Sequence, residues 1–235
     1  MGKPDIIYED NDIIVCYKPA GIATQTRRIG QQDMESFIRN YRAAKNEPPY
    51  VGIVHRLDQP VEGVMVFAKN QKAAASLSRQ IKEHTTEKYY RAASRGQGVS
   101  GADKEEDNHD PAWHTLTDYI SFDKRTNTSK ITSEKDRLAK KAVLQYRILS
   151  KECNKTEFDI KLLTGRHHQI RLQLANIGYP LIGDTKYGKP DSNNSGMGSK
   201  SGRTGSCVRE QLALCSYKIV FDHPATGERM TFELP

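Results

Sequence analysis

The stretch from residue 55 to residue 69 reads HRLDQPVEGVMVFAK, a polar segment followed by an apolar one. The apolar run 64–68 predicts a buried strand, and Asn70 after it is a typical N-cap residue for a helix. Asp58 precedes Gln-Pro, so it could be only a turn former. Arg56, two residues earlier, points to the same side of an extended chain. A loop that presents a cation and a carboxylate ahead of a buried strand favours a catalytic site.

Hydrophobic patterning along the rest of the chain predicts more strands than helices. One helix is expected from an Asp33 cap to about Lys45, and another after Gly165 that ends at Gly178. Strands are expected over 6–17 as a hairpin, and over 88–93, 115–121, 142–148, 158–162, 217–221 and 230–234. This pattern indicates an α+β fold with a central, largely antiparallel or mixed β-sheet flanked by helices and loops.

The 235 residues are expected to form one compact domain over 1–235. Two long loops interrupt it. The segment 95–111 carries an acidic cluster and is expected to be mobile. The segment 190–209 is expected to be an insertion loop, because 11 of the 16 residues over 191–206 are Ser, Gly or Asn.

Composition excludes several classes of protein. No stretch approaches the roughly 20 apolar residues of a membrane span. The first residues lack the pattern of a secretory or transit signal, so a cytoplasmic protein is expected. Four cysteines without a CxxC pair indicate neither a disulfide framework nor a zinc knuckle. Cys16, inside an apolar run, is expected to lie in the core.

The charge balance is basic, with 36 Lys plus Arg against 29 Asp plus Glu and a net charge of +7. This favours polyanionic partners, although many soluble proteins with no nucleic-acid role carry such a charge. Residues 124–141 hold seven basic and two acidic residues, whereas 103–110 hold five acidic and one basic. The separation indicates that charge is sorted between faces, unless both runs are simply solvated surface.

The segment 165–171 reads GRHHQIR and concentrates positive charge where a helix is expected to begin. His167 and His168 diverge by about 100° on a helix, which disfavours a shared metal site. Arg166, His167 and Arg171 would instead attract a carboxylate or a phosphate to the helix N-terminus. The alternative is a solvated basic helix end.

The segment 87–92 reads EKYYRA and places two tyrosines in succession on a strand. Adjacent strand residues face opposite sides of the sheet. One of Tyr89 and Tyr90 is therefore expected in the core, and the other could stack on a base or form the wall of a polar site. Two ordinary core or surface tyrosines would also satisfy the pattern.

Taken together, these motifs resemble the RluA-like family of RNA pseudouridine synthases, which isomerise uridine in ribosomal or transfer RNA. The signature of that family is His-Arg-Leu-Asp followed by a glycine, an apolar strand and Ala-Lys, as in residues 55–69. Further similar motifs occur in the expected order over 8–10, 18–21, 88–92, 165–171, 183–188 and 223–224. The resemblance covers the chain from about residue 6 to residue 235.

The resemblance implies roles for individual residues. Asp58 matches the catalytic aspartate, which acts on the ribose as a nucleophile at C1′ or as a base at the neighbouring carbon. Arg171 matches the arginine that pairs with it, and such a pair is expected to lower the carboxyl pKa by about 1 to 3 units. Tyr90 matches the tyrosine that packs against the target base. Arg56 is the candidate to fill the gap left by the flipped uridine.

The resemblance also implies structured RNA, ribosomal or transfer, as the partner. His55, Arg166, His167 and Gln169 are further candidates for contact with RNA. Backbone contacts could come from other basic residues, namely Arg27, Arg28, Lys130, Lys140 and Lys141. No cofactor, metal, membrane or obligatory protein partner is implied, and a monomer is expected.

This sequence departs from the pattern of the family at three places. Val61-Glu62 replaces the Thr-Ser of many relatives, which adds a charge near Asp58. Gln173 stands where histidine is common. The S4 RNA-binding domain of many relatives has no counterpart in this sequence, so choice of target is expected to reside in the catalytic domain.

Two other classes of function stay open at the level of sequence. One is a catalytically silent RNA-binding protein on the same fold, although the presence of Asp58, Tyr90 and Arg171 together argues against it. The other is a metal-dependent nuclease that uses His55, Asp58, His167 and His168.

Overall fold

The computed structural model describes residues 3–26, 28, 30–95, 112–188 and 210–235. The two loops expected over 95–111 and 190–209 lie outside the described residues, apart from Arg95. None of the helices in the described part is long and apolar enough to cross a membrane.

Eleven strands and three helices occur in the described part of the chain. The strands are β1 (Asp5–Glu9), β2 (Ile13–Lys18), β3 (Gly52–Ile53), β4 (Glu62–Ala68), β5 (Glu87–Ser94), β6 (His114–Asp123), β7 (Thr128–Thr132), β8 (Lys140–Glu152), β9 (Lys155–Leu162), β10 (Leu214–Asp222) and β11 (Arg229–Glu233). The helices are α1 (Met34–Ala44), α2 (Gln71–Lys82) and α3 (Gln169–Asn176).

All of these strands belong to one sheet, in the order β1-β2-β4-β10-β5-β9-β8-β6-β7, with β11 paired to β10 and β3 paired to β4. The β4–β10 pair is parallel, and the other pairs between described strands are antiparallel. The predicted α+β fold with a largely antiparallel, mixed sheet is confirmed.

The core lies on both faces of the sheet at strands β2 and β4. Ile14 and Cys16 pack on the face covered by α1 and α3, whereas Ile13 and Val15 pack on the face covered by α2. A strand buried on both faces needs apolar residues at successive positions, which explains the unbroken apolar runs in the sequence. The expectation that Cys16 lies in the core is confirmed, since it is fully buried.

Side-chain caps fix the start of two helices where the sequence predicts them. Asp33 accepts a hydrogen bond from the backbone N–H of Ser36 at 2.7 Å, and the Ser36 hydroxyl accepts one from the N–H of Asp33 at 3.0 Å. Asn70 accepts from the N–H of Ala73 at 2.8 Å. Each cap satisfies a backbone donor that the first helical turn leaves free.

The third helix begins later than predicted. Helix α3 starts at Gln169, so Arg166 and His167 precede it instead of occupying its first turn. The side-chain oxygen of Gln169 accepts hydrogen bonds from the Arg166 N–H and from Thr164, which forms a tight turn there. His168 at the N-cap position has a φ of 54°, a left-handed conformation that the helix cannot include.

Candidate active site

One cavity of about 660 Å³ opens between the loop before β4, strand β5, the end of α2 and the segment before α3. The eight residues expected to act in catalysis or to bind the target nucleotide all line it, namely His55, Arg56, Asp58, Tyr90, Arg166, His167, Gln169 and Arg171. These residues are separated by up to 116 positions in the sequence, so the fold alone brings them together.

The loop that carries Asp58 is held in place on both sides. Thr24 Oγ1 donates to the carbonyl of Leu57 at 3.0 Å and accepts from its N–H at 3.1 Å. Gly63, the second residue of β4, has a φ of 135°, and a Cβ there would lie 2.2 Å from the carbonyl oxygen of Ser216. Only glycine fits this close parallel pairing, which explains the glycine of the motif.

A buried lysine also braces this loop. The Lys18 ammonium, which is fully buried, donates to the carbonyls of Ile22 at 2.7 Å, Pro19 at 3.2 Å and Gln59 at 3.2 Å. Burial lowers its pKa to about 8, against the opposing effect of the Asp58 charge. Lys18 therefore connects the loop after β2 to the residue that follows Asp58.

Arg171 contacts two carboxylates, and Asp58 is the more distant one. Arg171 Nη1 lies 3.6 Å from Asp58 Oδ2, which is an ion pair without a hydrogen bond. Its Nε and Nη2 donate to Asp184 at 2.8 and 2.7 Å. The Asp184 side chain is fully buried and also accepts from the N–H groups of Lys186 and Tyr187. Asp184 was not among the residues predicted for the site, although its acidic character within the 183–188 motif was a usable signal.

The predicted lowering of the Asp58 pKa is wrong in direction. Burial in the cavity raises the pKa of the Asp58 carboxyl, and the charge of Arg171 opposes this without reversing it. The reason is geometric: two of the guanidinium N–H groups are directed to Asp184, so Asp58 receives only the longer contact. The Asp58 side chain keeps 30% of its surface exposed toward the cavity.

Two histidines whose rings contact each other form the wall beside Asp58. The rings of His167 and His168 lie 3.7 Å apart, and His168 Nε2 is 3.5 Å from Asp58 Oδ2. Burial lowers the pKa of His168 to about 3, so its ring is neutral at pH 7. The second ring nitrogens contact the hydroxyls of Ser129 and Tyr187, each at 2.9 Å. These contacts give the wall a fixed orientation.

The ligand set proposed for a metal-dependent nuclease does not form a metal site. His55 Nε2 accepts a hydrogen bond from the N–H of Val66 at 3.1 Å, so this nitrogen is already used. Among the described residues, the three potential ligands that converge are Asp10, Asp12 and His223, and none of them lines the cavity.

Strand β5 places its two tyrosines on opposite sides, as the sequence predicts. Tyr90 is 5% exposed and lines the cavity. Burial raises the pKa of its hydroxyl, and the nearby Asp58 charge adds to this. Tyr89 points away and donates to Glu87.

The remaining candidate residues differ in their exposure and in the hydrogen bonds they make. Arg56 is exposed at the rim and has no hydrogen bond or ion pair with the described residues. Arg166 donates to the carbonyl of Lys141 at 2.8 Å. Gln169 is buried, and its side-chain oxygen accepts hydrogen bonds within the turn before α3.

Of the basic residues proposed for backbone contacts, Arg28, Lys130, Lys140 and Lys141 are exposed outside the cavity, and Arg27 lies outside the described residues.

The family model for RNA pseudouridylate synthase matches residues 12–176 of this chain. The ribosomal large subunit pseudouridine synthase D of Neisseria meningitidis serogroup B is 30% identical over 240 residues, which cover 98% of this chain and 58% of that protein. The uncharacterized RNA pseudouridine synthase YhcT of Bacillus subtilis is 30% identical over 237 residues, which cover 100% of this chain and 69% of that protein. This chain therefore spans 58% and 69% of the length of these two relatives.

Solved structures show the same fold. The human RNA pseudouridylate synthase domain containing 4 matches with a TM-score of 0.70 and 20% identity, over 98% of this chain and 88% of that chain. The human RNA pseudouridylate synthase domain containing 1 matches with a TM-score of 0.70 and 22% identity, over 99% and 83%. With the family model matching more than half of its residues, this chain belongs to the RNA pseudouridylate synthase family, as its resemblance to the RluA-like members predicts.

Proposed function

We propose that this protein isomerises specific uridines of ribosomal or transfer RNA to pseudouridine, with no cofactor. The observation that carries the proposal is the state of Asp58: a carboxylate that lines the cavity, with its nearest charged or ionisable partners at 3.5 and 3.6 Å, at the outer limit of hydrogen bonding. Such a carboxylate is available to a reacting atom. The relatives named for the large ribosomal subunit favour ribosomal RNA as the first substrate to test.

Asp58 is proposed to act in one of two ways. As a nucleophile it would attack C1′ of the ribose while the C1′–N1 bond breaks, and the uracil anion would rotate and attack C1′ through C5, releasing Asp58. As a base it would remove the neighbouring C2′ proton while the C1′–N1 bond breaks to leave a C1′–C2′ double bond, and it would return that proton to C2′ when C5 bonds to C1′. In both versions the uracil then loses its C5 proton and gains one proton at N1, so the product is an isomer of the substrate.

The composition of the cavity wall favours isomerisation over hydrolysis. Glycosidases generally use two carboxylates, one to protonate the leaving group and one to attack or to activate water. Asp58 is the only carboxylate among the described residues that line this cavity. A site with a single carboxylate lacks the paired acids of a glycosidase, which favours recombination of the detached base with the ribose.

Arg171 and Tyr90 are proposed to hold the reactants. The Arg171 guanidinium, fixed by Asp184, would keep Asp58 ionised when RNA closes the cavity and excludes water. The ring of Tyr90 would form a flat wall against which the uracil can turn, because stacking does not fix rotation in the plane of the base.

Arg56 is proposed to assist extrusion of the uridine. Flipping a stacked base costs a few kcal/mol, and a planar guanidinium can fill the vacated space. Its exposure at the rim, without a partner among the described residues, leaves it free to enter an RNA helix.

The test is direct. Unmodified transcripts of large-subunit ribosomal RNA and of transfer RNA are incubated with the protein, with and without EDTA, and pseudouridines are mapped by carbodiimide labelling and primer extension. We expect new pseudouridines at defined positions with chelator present. RNA binding without any new site would favour the silent RNA-binding alternative, and strand cleavage abolished by EDTA would favour the nuclease.

A further inference from the structure

Lys88 lines the cavity, and the proposed mechanism assigns it no role. It lies two residues before Tyr90 on strand β5, so both side chains point to the same side of the sheet. Both line the cavity. Burial lowers the pKa of the Lys88 ammonium.

This ammonium has neither a hydrogen bond nor an ion pair with any residue that the structure describes. Other buried or half-buried lysines are matched: Lys18 donates to three carbonyls, Lys69 contacts Glu9 at 2.8 Å, and Lys161 contacts Glu87 at 2.8 Å. A partly desolvated cation without a partner costs stability, so its retention in a binding cavity points to an external anion.

The wall opposite Lys88 leaves room for that anion. The nearest atom to a Cβ built on Gly165 is the Lys88 Nζ, at 3.6 Å. Gly165 does not have a positive φ, so its backbone would accept other residues. A larger side chain there would cover the ammonium, whereas glycine leaves the space in front of it open.

The surroundings supply no competing anion. His55, whose pKa is lowered further by the Lys88 charge, is neutral and accepts from the N–H of Val66. Asp58, the one carboxylate among the described lining residues, is already contacted by Arg171. The anion that an RNA substrate carries into the cavity is the phosphodiester on either side of the flipped nucleotide.

We propose that Lys88 and the space left by Gly165 form a binding site for one backbone phosphate next to the flipped uridine. This inference rests on the proposed function. It adds the contact that sets how far the ribose enters the cavity. A charge-assisted hydrogen bond from a poorly hydrated ammonium would position the ribose against Asp58 without reading the base.

The experiment uses RNA oligonucleotides that contain a mapped target uridine, with the phosphate on its 5′ or its 3′ side replaced by an uncharged methylphosphonate. Affinity is measured by equilibrium titration over a range of salt concentrations for the wild type and for Lys88→Gln. The matched control is Lys161→Gln, which removes a lysine charge from the adjacent strand outside the cavity.

We expect Lys88→Gln to bind the unmodified oligonucleotide about tenfold more weakly and to reduce the salt slope by about 1. Neutralising one of the two phosphates should weaken the wild type and Lys161→Gln to a similar degree and leave Lys88→Gln unaffected. Thermal unfolding should show Lys88→Gln to be at least as stable as the wild type, since it removes an unmatched cation.

Equal sensitivity of the wild type and Lys88→Gln to both methylphosphonates would overturn the proposal. A fall in kcat with unchanged affinity would also overturn it, because Lys88 would then act on the chemistry. Pseudouridine formation by the wild type on the unmodified oligonucleotide is scored separately. Its absence would refute the proposed function, while the affinities would still report on the phosphate site.

Discussion

Two partly buried carboxylates of this protein have opposite surroundings. Glu9 accepts from Lys45 at 2.6 Å, from Tyr41 at 2.7 Å and from Lys69 at 2.8 Å. Burial alone would raise the Glu9 pKa, but these donors outweigh it and lower the pKa to about 2. The nearest donors to Asp58 lie at 3.5 and 3.6 Å, much farther than those of Glu9, and burial raises the pKa of Asp58. The comparison separates a carboxylate that stabilises the fold from one that is left available to a substrate.

The same contrast explains why Arg171 does not neutralise Asp58 completely. Its bidentate pair with Asp184 satisfies the buried guanidinium in the way that Lys45 and Lys69 satisfy Glu9. The remaining guanidinium nitrogen, Nη1, then lies 3.6 Å from Asp58 Oδ2. Arg171 therefore forms a close ion pair with Asp184, whereas the Asp58 carboxylate in front of it keeps only longer contacts.

The greatest loss of stability is expected when the ion pair between Arg171 and Asp184 is broken. Arg171→Gln leaves Asp184 buried with two backbone donors, which should cost about 3 to 5 kcal/mol of stability. The rate of pseudouridine formation should fall at least about 100-fold, because Asp58 loses its cation. Chemical denaturation and single-turnover assays measure the two effects.

The double variant Arg171→Gln/Asp184→Asn serves as the control. It removes the unpaired buried charge, so most of the stability should return while the rate stays low. An Arg171→Gln protein as stable as the wild type would show that the ion pair between Arg171 and Asp184 does not stabilise the fold.

A smaller effect is expected at the structural carboxylate. Glu9→Gln should lower the free energy of unfolding by about 1 to 3 kcal/mol at pH 7 and leave the rate per folded molecule unchanged. Because the folded pKa lies below the ordinary 4.5, the stabilising contribution is present above pH 4.5 and is lost as the pH falls toward 2. The difference between wild type and variant should therefore shrink between pH 5 and pH 2.

Lys45→Gln is the matched control for the Glu9 cluster. The Lys45 side chain is 44% exposed, so solvent screens its ion pair and its removal should change stability much less than Glu9→Gln does. If the difference in unfolding free energy between the wild type and Glu9→Gln stays constant from pH 5 to pH 2, the comparison is contradicted. The Glu9 pKa would then be the same in the folded and the unfolded protein.

The smallest of these effects concerns access to Asp58. Arg56→Ala should reduce turnover on a folded RNA about tenfold and have less effect on an unstructured oligomer with the same target, because only the former needs a stacked base to be replaced. Turnover on both substrates gives the answer. Equal losses on the two would mean that Arg56 contributes charge alone.

The short-range features were predictable from sequence, and the long-range electrostatics were not. Caps at Asp33 and Asn70 and the runs of β2 and β4 are local patterns, and the structure confirms them. The motifs also selected eight residues that share one cavity.

Other features depend on contacts made only after folding. Strand β7 was missed because its polar sequence, TSKIT, reads as part of a basic run, yet Ser129 is buried beside His167. The direction of the Asp58 pKa shift depends on Asp184 taking two N–H groups of Arg171, and no local spacing reports this.

Asp58 is proposed to perform the chemistry through its carboxylate, and the fold is not expected to need this carboxylate. The direct test is the single-turnover rate of Asp58→Asn at saturating protein concentration, with RNA affinity and unfolding free energy measured on the same sample. We predict a rate at least about 10⁴-fold lower, near-unchanged affinity, and stability no lower than the wild type, since ionised Asp58 with its raised pKa costs stability at pH 7. A rate within tenfold of the wild type would contradict the account.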